Sequence, residues 1–198
     1  MPLLPILLPD AELLFDPEFL PLAEAQELLE ELTNSLAWQQ EAIKLFGRSV
    51  LQPRLTAWYG DPGASYQYSG LRLEPLPWTP ALLRLRQRVE EATGTFFNSV
   101  LLNLYRTGQD SMGWHADDEP ELGPAPVIAS VTLGATRNFR LKPRDPHRLP
   151  HAPFSLPLTA GSLLLMRGAT QQHWLHALPK TARPVGPRLN LTFRQITR

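Results

Sequence analysis

The chain has 198 residues, enough to bury one substantial core, and nothing in it requires a second domain. Nineteen basic and nineteen acidic side chains cancel, so a polyanionic partner would have to be held by a local patch and not by the field of the whole protein. Cysteine is absent, which excludes disulfides, thiolate-bound metal and thiol catalysis and fits a reducing cytoplasm; 43% hydrophobic residues with five tryptophans exclude disorder, and no apolar run approaches the roughly 18 residues of a membrane span.

In chain order, residues 1–20 read as an extended arm. Its opening Met1-Pro-Leu-Leu-Pro-Ile-Leu-Leu-Pro9 is broken by proline and has no basic leader, so a secretion signal is not expected. A helix follows from Pro21: Leu22, Ala25, Leu28, Leu29 and Leu32 recur at helical spacing, and proline and acids suit its first turn. From Trp38 to Tyr59 the pattern is of short strands, with Leu45-Phe46-Gly47 at a hairpin tip flanked by Lys44, Arg48 and Arg54. Phe46 is then either a loop residue folded back onto the core or an aromatic wedge with basic shoulders. Tyr66 and Tyr68 share one strand face, where aromatics ordinarily serve packing.

A second helix spans Pro80 to Gly94, with Thr79 as N-cap and Gly94 as stop; Arg84, Arg86 and Arg88 read as its solvated face. Beyond it, strands are expected at 97–105, 127–133, 136–142, 154–158, 162–167, 172–178 and 186–196, separated by Pro and Gly. Many short strands after two helices predict an α+β domain of sandwich type. Arg137, Arg140, Lys142, Arg144 and Arg148 crowd one hairpin and its loop, either as solvated charge or as a phosphate-contacting patch.

The stretch from Asn103 to Glu119 carries the chemistry. An apolar run, Val100 to Tyr105, leads through a Gly-broken turn to His115 and Asp117, which on extended chain would share a face. The third ligand of a metal site must come from His147, His151, His173 or His176. His147 and His151 sit in a Pro/Arg-rich loop. His173 and His176 are an odd number apart, so on a strand only one faces inward. His176 is chosen because a period-two strand follows it, with Arg188, Asn190, Thr192 and Arg194 alternating with Leu189, Leu191 and Phe193. Two imidazoles and one carboxylate leave open positions on an octahedral ion, the arrangement of non-haem Fe(II) oxygenases. Two arginines on an inward strand face demand an anion, and a guanidinium fork matches a carboxylate.

With these blocks in view the chain resembles the AlkB family of Fe(II)/2-oxoglutarate dioxygenases, and within it the branch that repairs alkylated double-stranded DNA. The resemblance rests on Asn103-Leu-Tyr105, Gly113-Trp-His115-Ala-Asp117-Asp118-Glu119, Ile128 to Gly134, His173-Trp-Leu-His176 and Arg188-Leu-Asn190-Leu-Thr192-Phe-Arg194. Earlier blocks, Leu45 to Arg48, Pro53-Arg54, Tyr59-Gly60-Asp61 and Tyr66 to Leu71, match too, so it runs from about residue 45 to the end.

What this resemblance implies is one AlkB-like domain over 1–198: a double-stranded β-helix, or jelly-roll, in 95–198, N-terminal helices packed on one sheet, and a nucleotide-recognition region at 38–75. It assigns Fe(II) to His115, Asp117 and His176, and 2-oxoglutarate to Asn103, Tyr105, Arg188, Asn190, Thr192 and Arg194. Phe46 would fill the gap left by a flipped base, Tyr68 would stack on that base beside Tyr66, and Glu119 would recognise it. Asp118 would steady neighbouring groups or the loop. The implied reaction uses O2 and 2-oxoglutarate to hydroxylate the N-methyl group of 1-methyladenine or 3-methylcytosine, which leaves as formaldehyde. The implied partner is alkylated DNA, as a duplex, met by a monomer in the cytoplasm or, in a eukaryote, the nucleus. An RNA or single-strand demethylase and a non-catalytic damage-binding module are the competing readings; a wedge matters only in a duplex, and metal-dependent turnover separates the last. The loop from Arg144 to Phe154 is short and Pro-rich, and net neutrality predicts weak, salt-sensitive binding of nucleic acid.

Overall fold

The alternation of apolar and polar residues after Gly94 resolves into two facing sheets. A computed structural model describes residues 2–45, 48–68 and 71–197. In chain order it contains β1 (Leu4–Leu8), β2 (Ala11–Asp16), α1 (Leu22–Ser35), β3 (Ala42–Leu45), β4 (Arg48–Leu51), β5 (Leu55–Gly60), β6 (Tyr66–Tyr68), β7 (Leu71–Leu73), β8 (Leu76–Pro77) and α2 (Pro80–Thr93). There follow β9 (Ser99–Tyr105), β10 (Met112–His115), β11 (Ile128–Gly134), β12 (Arg137–Pro143), β13 (Phe154–Leu158), β14 (Leu163–Arg167), α3 (Thr170–His173), β15 (Trp174–Leu178) and β16 (Arg188–Arg194).

The major sheet has the order β1-β2-β14-β11-β16-β9-β5-β8, and the minor sheet β10-β15-β12-β13. One face of the major sheet packs on the helices: Leu32 of α1 and Leu82, Leu85 and Val89 of α2 share a core with Leu102, Leu104, Val131, Leu189, Leu191 and Phe193. Residues one position out of phase on the same strands face the minor sheet, where Ile128, Leu164 and Met166 meet Leu141, Leu158 and Trp174. The helices therefore cover one sheet, and the space between the sheets is left for a site. No described helix is long and apolar enough to cross a membrane.

Thr79 caps α2, its Oγ1 accepting from the Leu82 N–H at 3.3 Å, and Gly94 ends it at φ 65°, a conformation open to glycine at no steric cost. Leu82 is fully buried beneath α2. Truncating it to alanine is expected to lower stability by about 2–5 kcal/mol, the usual range for a large core side chain that leaves a cavity. The check is a shifted urea midpoint with an unchanged slope.

The fold differs from the sequence reading in several places. The N-terminal stretch is extended but paired: β1 and β2 form a hairpin through Pro9 and Asp10, and β2 pairs with β14. Pro5 is tolerated in β1 because that strand lies at the sheet edge, where a missing N–H costs little. The strand expected at 172–178 begins only at Trp174, because Thr170–His173 close a helical turn. Arg86 is not solvated: with its side chain 13% exposed, it donates to Asp61 at 2.9 Å and Glu90 at 3.0 Å and lies over the rings of Trp78 and Phe96. Arg137 is buried, donating to the backbone carbonyls of Thr107, Asp110 and Pro179, and so cannot serve a phosphate.

Candidate metal and cofactor site

His115 ends β10 and stands directly opposite His176 of β15, so cross-strand pairing brings both imidazoles to the inner face. Their ring centroids are 4.2 Å apart, and Phe139 of β12 lies 5.2 Å from the His176 ring. Asp117 follows beyond the end of β10, and its Oδ2 lies 3.7 Å from His176 Nε2. One ligand atom from each of His115, Asp117 and His176 falls within 4.8 Å of the others. The three expected metal residues are thus brought together, although the parity argument that selected His176 placed His173 on a strand when it closes the turn before it.

Protonation suits a cation. The Gly113 carbonyl, which can only accept, lies 2.9 Å from His115 Nδ1, so that nitrogen is the donor. Burial pushes His176 down to about 3 despite the pull of Asp117, so its imidazole is neutral at physiological pH. Burial alone would raise the Asp117 carboxyl, but Arg194, His176 and His115 outweigh it and hold it below the ordinary carboxylate range. Two imidazoles and one carboxylate could hold Fe(II) and leave sites free for other ligands.

The facing strands supply an anion cage. On β16, Arg188 stands opposite Tyr105 of β9 and Asn190 opposite Asn103; on the other side, Thr132 of β11 stands opposite Asn190 and Ser130 opposite Thr192. Arg188 is 2% exposed, and its Nη2 donates to Thr132 Oγ1 at 2.9 Å and Asn190 Oδ1 at 2.8 Å. Its buried Nε has no hydrogen-bond partner among the described residues, and burial pushes its pKa down to about 10, still cationic at neutral pH. A buried guanidinium with an unmatched donor fits a carboxylate guest. Burial also raises the Tyr105 phenol, which stays a protonated donor. Arg194 donates to Asp117, at the end of the cage nearest the triad.

Arg54 is a partner the sequence reading placed elsewhere. Instead of flanking the Phe46 tip toward phosphates, it donates through Nε to Asn103 Oδ1 at 2.7 Å. Since a guanidinium only donates, the Asn103 oxygen faces Arg54 and its NH2 is free for the cavity it lines. Ser130 and Thr132 were also missed. The signal was present as polar residues alternating with Val131 and Leu133 on β11.

One cavity is lined by Asn103, Tyr105, Arg188, Asn190, Thr192 and Arg194 together with His115, Asp117 and His176. Glu119 lies outside that lining; its Oε2 is buried with no partner among the described residues, and burial raises its carboxyl. Asp118 accepts from Arg144 at 2.7 Å and so ties down the loop. Tyr66 and Tyr68 lie on β6, but their side chains, and Phe46 entirely, lie outside the described residues.

A two-histidine, one-carboxylate triad facing an arginine cage between the sheets of a jelly-roll defines a class, and the chain belongs to it: the family model of the 2OG-Fe(II) oxygenase superfamily matches residues 12–194. Within that class it is a member of the AlkB family. Human alpha-ketoglutarate-dependent dioxygenase alkB homolog 3 is 44% identical over 187 residues, 91% of this chain and 64% of that protein. Mouse DNA oxidative demethylase ALKBH2 is 44% identical over 182 residues, 88% of this chain and 76% of that protein. The chain therefore spans somewhat under two thirds of the alkB homolog 3 length. The solved structure of OsALKBH1 shares the fold, with a TM-score of 0.65 at 16% identity over 96% of this chain and 98% of that one.

Proposed function

We propose that this protein is an Fe(II)- and 2-oxoglutarate-dependent dioxygenase that removes N-methyl groups from 1-methyladenine and 3-methylcytosine in DNA. The observation that carries the reading is one cavity lined both by the triad and by the buried Arg188 guanidinium, whose Nε has no hydrogen-bond partner among the described residues. His115, Asp117 and His176 hold the metal. Arg188, with Tyr105 and the NH2 of Asn103, receives the carboxylate remote from it, and Arg194 steadies Asp117. With Fe(II), 2-oxoglutarate and O2 bound, the site supplies an oxidant that hydroxylates an N-methyl group, with loss of CO2 and succinate, and the product releases formaldehyde. Phe139 lines the cavity beside the His176 ring.

Both lesions are cationic, which suits the tyrosines of β6 and the carboxyl of Glu119 through cation–π attraction and charge-assisted hydrogen bonding. A blocked pairing edge also makes such a base cheap to flip. Phosphate contacts fall to Arg140, Lys142 and Arg148, since Arg54 and Arg137 are engaged inside. Duplex DNA is the proposed form because Phe46 lies between Lys44 and Arg48 in the hairpin sequence, where a wedge with basic shoulders belongs.

The test is Fe(II)- and 2-oxoglutarate-dependent loss of 1-methyladenine from matched duplex DNA, single-stranded DNA and RNA. Wild type is expected to demethylate the duplex, and Phe46→Ala to slow that reaction about tenfold, equivalent to about 1.4 kcal/mol, while sparing single strands. Consumption of 2-oxoglutarate with both DNAs left methylated would keep the site and discard the substrate. Demethylation of RNA alone would establish the competing reading.

A further inference from the structure

The carboxylate ligand is the one member of the triad that no strand holds. β10 stops at His115, and its pairing with β15 is already irregular between Met112 and His115. The Asp117 N–H is nevertheless buried, and its partner comes from a distant element: Gln171 of α3, whose Oε1 accepts from it at 3.0 Å. Gln171 is 1% exposed, and its Nε2 lies 3.7 Å from Met166 Sδ, a weak acceptor that fixes which end of the amide faces Asp117. The turn is itself pinned. Thr170 Oγ1 donates to the Arg167 carbonyl at 2.6 Å, and Arg144 donates to the Gln171 carbonyl at 3.4 Å and to the Asp118 carboxylate at 2.7 Å. Three residues after α3 the chain reaches His176.

We infer that Gln171 is a positioning residue for the metal: its carboxamide holds the main chain at Asp117 so that the carboxylate meets His115 and His176, and it thereby sets the affinity of the site for a divalent cation. The inference rests on the reading of the triad as a metal site. Glutamine suits the task because it brings an acceptor to a buried N–H that would otherwise be left without one, and adds no second negative charge beside Asp117. Because α3 also opens the strand that carries His176, one helical turn sets the spacing of two ligands that are far apart in sequence.

The experiment titrates the full chain with Mn(II) by calorimetry and records the visible absorption of the Co(II) complex, without 2-oxoglutarate or nucleic acid. Gln171→Leu keeps the bulk and loses the acceptor; Gln171→Glu keeps the oxygen. The leucine variant is expected to bind Mn(II) about 10- to 100-fold more weakly, the usual loss when a group orienting a ligand is removed, and to change the Co(II) ligand-field bands. The glutamate variant keeps the acceptor but sets a second carboxyl beside Asp117; it is expected to recover the Co(II) bands and most of the lost Mn(II) affinity, which a purely structural defect would not do. Should the leucine variant fail to fold, Gln171→Asn, shorter by one methylene, serves the same comparison. Wild-type affinity with an unaltered Co(II) spectrum in the variant lacking the acceptor overturns the inference. If wild type itself binds neither ion, the metal reading falls and takes this inference with it.

Discussion

His176→Ala is expected to abolish 2-oxoglutarate turnover and to weaken Mn(II) binding by about a thousandfold, equivalent to about 4 kcal/mol. The reason lies in what the side chain does without metal. His176 is buried between Phe139 and His115, and its charged form is so disfavoured that the ring stays neutral well below physiological pH. A neutral imidazole in an apolar wall stabilises the fold mainly by packing, as another ring would, but its lone pair beside a carboxylate and a second imidazole is specific to a cation. Circular dichroism and a melting curve separate the two effects. His176→Gln keeps more of the volume and should still lose turnover. A variant that retains wild-type metal affinity would show that the ion is held elsewhere.

The second large effect is expected at Arg188. Arg188→Met should raise the KM for 2-oxoglutarate by a factor between about 30 and a few thousand, the range that corresponds to the 2–5 kcal/mol lost when one partner of a buried charge pair is truncated. Stability should move the other way. In the cofactor-free protein the guanidinium is desolvated without a matching carboxylate among the described residues, so an apolar replacement is expected to leave the melting temperature unchanged or raise it. Asn190 Oδ1 still accepts from Ser130 Oγ at 3.0 Å, so the substitution does not orphan it. Arg188→Lys keeps the charge but loses the fork and should fall between the two. Equal losses of stability and 2-oxoglutarate affinity in the methionine variant would mean that Arg188 is a scaffold residue and not a receptor.

The cage was legible because a strand writes its two faces in alternate letters. Arg188, Asn190, Thr192 and Arg194 could be read as one face of β16 before any partner was known. The helices were legible from Thr79, Gly94 and the leucine spacing. What could not be read was which polar group meets which across the fold. Arg54 and Arg137 look, in sequence, like any cation near a loop; only the packing of β5 against β9, and of β12 beside the turn after β9, turns them inward. Arg86 was misjudged for the same reason, since Asp61, Trp78 and Phe96 converge on it only in three dimensions. Gln171 carries no local signal, because its partner lies 54 residues away. The N-terminal hairpin was hidden by prolines whose cost depends on an edge position that only the sheet order reveals.

Arg137 has a bearing on the triad although it touches none of it. At the end of β10, His115 looks into the cavity, and Trp114 beside it, 40% exposed, looks out beneath Arg140 and Lys142. A slip of one residue would trade the imidazole for an indole and leave the ion without a ligand. By holding Thr107 and Asp110 on one side and Pro179 on the other, the Arg137 guanidinium ties the turn that feeds β10 to the end of the strand that carries His176. A side chain that reads as surface charge thus acts as the latch that keeps the two halves of the ligand set in phase.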